Sequence, residues 1–285
     1  ELYASKIASI ARDNNVLPLT KKAVAKVIEY CSRIIDNASK LSTNLSKTMD
    51  LLQEANFIAK NKDAKYINHT DITSVLNNRV QRSQRIKQEI YDEIKLGTIQ
   101  IQTTQSAVGQ INGLSVLDLG NHSFGTPTKI SALTRMGRDG IVDIEREANL
   151  SGDIHSKGVM ILSSYLASKY SQDFPLSLSA TLVFEQSYSM IDGDSASLAE
   201  LYALLSSISN KPIKQNFAVT GSINQNGDVQ AIGGVNEKIE GFFDVCKLKD
   251  EDFNAAVIIP KSNVKNLMLK DEIIEASKNH KFKIY

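Results

Sequence analysis

The sequence predicts a two-part chain: an all-helical N-terminal domain over residues 1–97 and an α+β domain over residues 98–285. Three observations lead there. Up to Gly97 the apolar residues recur three and four apart, the period of a helix with one buried face. From Thr98 onward, period-two stretches and helical stretches mix without a regular strand–helix–strand alternation. Within that second part, Leu176, Leu178, Ala180, Leu182 and Phe184 alternate strictly with Ser177, Ser179, Thr181, Val183 and Glu185, a pattern that only a pleated strand puts on two faces.

In the helical part, Thr20 is placed to cap a helix whose stripe is Val24, Val27, Ile28, Cys31, Ile34 and Ile35. A second helix carries Leu45, Met49, Leu52, Ala55 and Ala59. A third starts near Thr70–Asp71, keeps Ile72, Leu76, Val80, Ile86, Ile90 and Ile94 about a turn apart, and stops at Gly97. Its Arg79, Arg82, Arg85 and Lys87 precede Glu89, Asp92 and Glu93, which suits a solvated mixed-charge face better than a nucleic-acid contact.

In the second part, "TIQIQT" (98–103) alternates as a short strand. "KISALTR" and "GIVDIERE" are expected as strands around the turn "MGRDG", and residues 156–170 as a buried helix. Residues 195–209 form another buried helix. Two strand runs flank Asn226–Gly227, the strongest short hairpin signal, and would set Thr220 opposite Gly233. A helix follows from Gly233 to Leu248, then a short strand "AAVIIP", then a closing helix over 262–277.

Composition narrows the functional classes. Lys plus Arg total 33 and Asp plus Glu 32, a net charge of +1, so no footprint for nucleic acid or an anionic membrane is expected. No run approaches the ~18 apolar residues of a spanning helix, and no signal peptide opens the chain. The cytoplasm is the expected location. Cys31 and Cys246 are expected as reduced thiols, Cys31 buried on its stripe. His69, His122, His155 and His280 have no metal-ligand spacing. The chain opens on Glu1, which suggests a fragment of something longer.

The chemistry concentrates in residues 189–200, "SMIDGDSASLAE". Ser195 sits at a strand-to-helix junction, where free backbone N–H groups and the positive helix end favour an exposed nucleophile and a developing oxyanion. Asp192, Gly193, Asp194 and Ser195 also suit a plain helix cap. A nucleophilic serine needs a base. His155 is the best histidine, yet it reads as a loop residue, and G-x-S-x-G is absent. Lysine is the alternative base, provided burial keeps it neutral. Lys238 qualifies: Ile239, Phe242 and Phe243 put it beside apolar surface, and Gly233–Gly234 let the chain turn tightly into its helix. Thr220 would lie near enough to orient the amine. Ser262 to Lys265 match S-x-x-K but lack companion motifs, and no P-loop occurs.

Together, "DGDSAS" (192–197) and "GGVNEK" (233–238) resemble the signature of the Lon protease family. "VTGSINQNGDVQAIGGVNEKIEG", "IIPKSN" and "GQINGLSVLDLG" (109–120) are similar to flanking segments of its proteolytic domain, so the likeness covers about 105–265. It implies Ser195 as nucleophile, Lys238 as general base, Thr220 as the lysine's support and Asp192 as the motif acid, with Gly193, Asp194 and Glu185 nearby. Met190–Ser197 resembles the B-type and Lon-related branches. "VIEYCSRIID", "LSTNLSKTMDLLQEAN" and "AKYINHTDI" resemble the helical lid of an AAA+ ATPase, with Gln53 where relatives typically carry a sensor arginine. The resemblance implies a serine endopeptidase acting on unfolded or misfolded proteins, assembled as a homo-hexamer or other ring. No cofactor is expected in these residues, since ATP and Mg2+ would act through a missing ATPase domain. A non-catalytic assembly or binding module is the competing reading.

Overall fold

The computed structural model describes residues 1–120, 123–170 and 177–285. His122 and Leu176 of the expectations above lie outside the described residues. The chain forms two compact units: Glu1–Gln88 with Lys265–Met268, and Glu89–Val264 with Leu269–Tyr285.

The first unit holds α1 (Leu2–Asp13), α2 (Lys21–Arg33), α3 (Leu45–Lys60) and α4 (His69–Ser83). Thr20 caps α2 as expected, accepting from the Ala23 N–H. Val27, Cys31, Leu52, Ala55 and Ile72 are fully buried in its core. The third helix does not run through to Gly97. It breaks at Gln84 into α4 and α5 (Arg85–Leu96). The step from Val80 to Ile86 is six residues, a rotation of about 240° from one stripe to another. Both residues are exposed, at 40% and 45%. Beyond the break, Tyr91 and Ile94 pack with Ile101 and Val245 of the second unit's own core, which is why the compact division falls inside α5 rather than at 97. Gly97, with φ of +82°, ends α5 as expected. Arg79 and Arg82 both pair with Glu54, and Gln53 is exposed on α3.

The second unit is α+β, as the mixed periodicities predict. Its strands are β1 (Ser106–Ala107), β2 (Gln110–Asp118), β3 (Ser123–Met136), β4 (Gly140–Asp143), β5 (Leu178–Phe184), β6 (Ile213–Lys214), β7 (Phe217–Val219), β8 (Ser222–Ile223), β9 (Val229–Gln230), β10 (Ala255–Ile258) and β11 (Phe282–Ile284). Its helices are α6 (Ile144–Glu147), α7 (Asp153–Tyr170), α8 (Ser197–Ser209), α9 (Val235–Lys249) and α10 (Asp271–Lys278). The main sheet runs β11-β10-β7-β2-β3-β5-β4, parallel at β10–β7, β7–β2 and β5–β4 and antiparallel at β2–β3 and β3–β5. Ile130, Leu162, Leu166, Leu182 and Leu204 centre the core between the sheet, α7 and α8.

Four local expectations are corrected. "TIQIQT" forms no strand: Thr98 and Ile99 lie in a bend after α5, and the alternation reports that Ile101 is buried, not that a ladder forms. "GIVDIERE" is half strand, because the Asp143 side chain accepts from the Glu145 N–H and starts a helical turn. The hairpin strands are short. β8 and β9 pair Ser222 with Gln230 and Ile223 with Val229, across a wider turn organised by the Asn224 side chain. The pairing stops before Thr220, whose N–H goes instead to the Ile258 carbonyl. The closing helix is interrupted: a 3-10 turn (Lys261–Asn266) is followed by α10. Buried Asn263 holds that turn by exchanging hydrogen bonds with both backbone groups of Ile232.

Candidate active site

Residues 185–196 connect β5 to α8, and backbone bonds fix this loop at its middle and at its exit. Four residues before Ser195, the Ile191 N–H donates to Leu150 O at 2.8 Å and the Gly152 N–H to Ile191 O at 2.7 Å. On exit, the Gly221 N–H donates to Ser195 O at 2.9 Å and the Leu198 N–H to Gly221 O at 3.1 Å. The residue before α8 is Ala196, and no side chain caps the helix. The expectation that Asp192, Asp194 or Ser195 caps it is therefore corrected. Asp192 Oδ1 accepts from the Gly193 N–H at 2.8 Å, and Asp194 Oδ2 accepts from Ser222 Oγ at 2.7 Å.

Lys238 is on the first turn of α9, and its burial follows from how that helix meets the sheet. α9 packs on β2 and β3. Gly125 of β3 lies directly under it, so close that a Cβ there would stand 1.9 Å from Glu237 O and 2.8 Å from Lys238 Cα. Tyr91 Oη donates across the same crossing to Gly125 O and Gly241 O. Phe243 packs edge-on against Phe282 and Phe253 and secures the far side of the helix. Lys238 ends up only 4% exposed.

Its amine meets two hydroxyls. Lys238 Nζ donates to Ser195 Oγ at 2.7 Å and to Thr220 Oγ1 at 3.3 Å. Thr220, fully buried, donates in turn to Ser195 O at 3.2 Å. The threonine reaches the amine from the end of β7, not through the hairpin register. Burial pulls the Lys238 pKa down to about 8, while the Asp194 carboxylate opposes that shift. Desolvation outweighs the neighbouring negative charge, so near neutral pH an appreciable fraction of the amine is free to take a proton.

The remaining expected residues are not all gathered here. Glu185 is engaged on the β3–β5 pair, where Ser131 Oγ donates to its Oε1 at 2.6 Å. His155 is not a loop residue but a buried one on α7, with Nε2 2.8 Å from Glu200 Oε1. Glu200 and Ser222 were missed from sequence. Glu200 carried a signal: it is the one charged residue in the otherwise apolar or hydroxylic stretch 195–209, and such a residue needs a buried partner. Ser222 carried none. A cavity of about 420 Å3 lies elsewhere, lined by Tyr202, Leu205, Pro212, Ile213 and Phe217, and does not include the serine or the lysine. Among the described residues no helix is long and apolar enough to cross a membrane.

Comparison with known proteins agrees with the two-part reading. Residues 18–82 match the family model for the archaeal LonB AAA+ ATPase LID domain, and residues 93–283 match that for the Lon protease (S16) C-terminal proteolytic domain. A Lon protease homologue of Escherichia coli is 40% identical over 237 residues, covering 82% of this chain and 40% of the relative. One from Haemophilus influenzae is 37% identical over 289 residues, covering 99% and 47%. An archaeal Lon protease of Methanocaldococcus jannaschii is 29% identical over 288 residues, covering 89% and 42%. The chain thus spans less than half the length of these relatives.

Proposed function

The chain belongs to the Lon protease family, and from that premise we propose that its second unit is a serine endopeptidase working through a Ser195–Lys238 dyad. The observation that carries the reading is the 2.7 Å separation of Ser195 Oγ and Lys238 Nζ, made by a lysine that burial has shifted toward its neutral form.

The proposed steps are acylation of Ser195 and then hydrolysis of the ester. Neutral Lys238 Nζ takes the Ser195 hydroxyl proton as Oγ attacks a peptide carbonyl carbon. Backbone N–H groups of the loop before α8 hold the oxyanion. The lysine ammonium then protonates the leaving amine, the C–N bond breaks, and an acyl ester on Ser195 remains. Water gives a proton to Lys238, attacks the ester, and Ser195 leaves with that proton restored. Thr220 orients the amine. Asp194 is a brake on the neutral form rather than a participant, and Asp192 and Gly193 shape the turn. Glu185 is left with no step.

The substrates we propose are unfolded or misfolded proteins, and the assembly a homo-oligomeric ring, in the cytoplasm, with no nucleic-acid or membrane partner. The site itself uses no cofactor, and ATP with Mg2+ would act through a nucleotide-binding segment outside these residues. Ser195→Ala and Lys238→Ala are each expected to abolish cleavage of peptides and casein while circular dichroism stays unchanged. A fluorophosphonate probe is expected to label Ser195. Retained cleavage in either variant sinks the dyad. A folded wild type that neither cleaves nor takes label favours a non-catalytic assembly module.

A further inference from the structure

A buried cluster beside the proposed dyad ties together the loop segments on either side of the nucleophile. Its centre is the His155 imidazole, 1% exposed. Nδ1 lies 2.9 Å from Ser151 Oγ and Nε2 lies 2.8 Å from Glu200 Oε1. Ser151 belongs to the turn whose neighbours Leu150 and Gly152 grip Ile191 through backbone bonds, midway along the loop and four residues before Ser195. Glu200 sits in the first turn of α8, and its own N–H donates to Ala196 O at 3.0 Å, at the loop's exit. One ring therefore bridges the middle of the loop and its exit, on either side of Ser195.

The surroundings are built for that ring. Asp143 Oδ2 lies 3.5 Å from Nδ1. Glu145, also buried, accepts from the Phe184 N–H at 3.0 Å, at the end of the strand that feeds the loop. The Phe184 ring meets the imidazole edge-on, with centroids 5.4 Å apart. Stability alone does not call for such a cluster, because apolar residues of similar volume can replace a buried ionic pair without loss of stability. What apolar residues cannot supply is two directed bonds that fix the spacing of Ser151 and Glu200.

We infer that His155 is a positioning residue for Ser195, fixing through Ser151 and Glu200 the loop segments on both sides of the hydroxyl presented to Lys238. The inference rests on the reading of Ser195 as the nucleophile. Its test is the rate of Ser195 labelling by a fluorophosphonate probe, together with kcat and KM for a fluorogenic peptide. These are measured on the same 285-residue chain as wild type, as the double variant His155→Leu/Glu200→Leu, and as His155→Asn, whose shorter amide reaches toward Ser151 but not Glu200. The double variant is expected to fold but to melt below the wild type, because the buried Asp143 carboxylate loses the imidazole 3.5 Å away, to keep KM within about twofold, and to lose tenfold or more in both labelling rate and kcat measured well below its melting temperature. His155→Asn is expected to lose at least threefold in the same two rates. Labelling at the wild-type rate in either folded variant overturns the inference while leaving the nucleophile standing. A folded wild type that takes no label at Ser195 removes the nucleophile reading and this inference with it.

Discussion

Lys238 Nζ stands 2.7 Å from Ser195 Oγ, and burial holds the lysine's pKa down at about 8. A base of that pKa is half neutral at about pH 8 and mostly charged a unit or two below. For a fluorogenic peptide, kcat/KM is therefore expected to rise with pH along a single-proton limb and to level off above about 8. A profile already flat from pH 6 would contradict Lys238 as the group that must lose its proton.

Asp194 supplies a second check on the same group. Its carboxylate is the negative charge that works against the lysine's downward shift. Asp194→Asn removes the charge and keeps an oxygen for the Ser222 hydroxyl, which now donates at 2.7 Å. The acidic limb is expected to move to lower pH, raising activity below neutrality relative to the limb's plateau. An unmoved limb, or one displaced upward, shows that the two groups do not interact as their positions imply.

Thr220→Val tests the third hydroxyl. Valine nearly matches threonine in shape, and the site is fully buried, so packing is largely kept. Two bonds are lost, one from Lys238 Nζ at 3.3 Å and one to Ser195 O at 3.2 Å. Each hydrogen bond of this kind contributes about 1 kcal/mol, so kcat is expected to fall between about fivefold and about thirtyfold, as one or both bonds bear on the rate, with little change in KM. An undiminished kcat would make Thr220 a core residue only.

Much of this site was legible in the sequence because its parts are local. A serine between a strand and a helix, and a lysine flanked by Ile239, Phe242 and Phe243, can be read from neighbours along the chain. The strict alternation of 178–184 likewise shows itself, since β5 has one side in the core. What stayed hidden depends on residues far apart. Thr220 meets Lys238 because β7 pairs with β10 and its end then crosses Ser195, which no hairpin register encodes. The break at Gln84 shows only once the apolar residues on its two sides find different cores. His155 read as a loop residue because its partners, Ser151 and Glu200, meet only when α7 and α8 pack together.

The crossing of α9 over β3 is a prediction about backbone. A methyl group at Gly125 would stand 1.9 Å from Glu237 O, a clash with main chain that no rotamer relieves. Gly125→Ala is expected to lower the melting temperature strongly, by a cost of roughly 3 kcal/mol or more, and to displace Lys238. Gly233→Ala is the matched control, with nothing within 4 Å of an added Cβ. It is expected to be neutral or slightly stabilising. Equal melting temperatures for the two variants would mean that the close approach does not fix the helix.

Lys238 should also cost the fold stability, and the sign can be followed through pH. The folded chain holds this proton with a pKa of about 8, against 10.5 for an unburied lysine. Between those values the unfolded chain binds more protons than the folded one, so stability rises with pH across that window. Below about pH 8 the lysine is charged in both states and the penalty is at its full size, up to about 3 kcal/mol for a group 4% exposed. Lys238→Met replaces the amine with an apolar chain of similar length. The variant is expected to lose peptide cleavage and to melt above the wild type at pH 7, with the gap closing as pH rises toward 10.5. Melting curves of both proteins across that range are the measurement. A methionine variant that melts below the wild type at pH 7, or a gap that widens with pH, would mean that the lysine's surroundings stabilise its charge, and a lysine held charged cannot take the serine's proton.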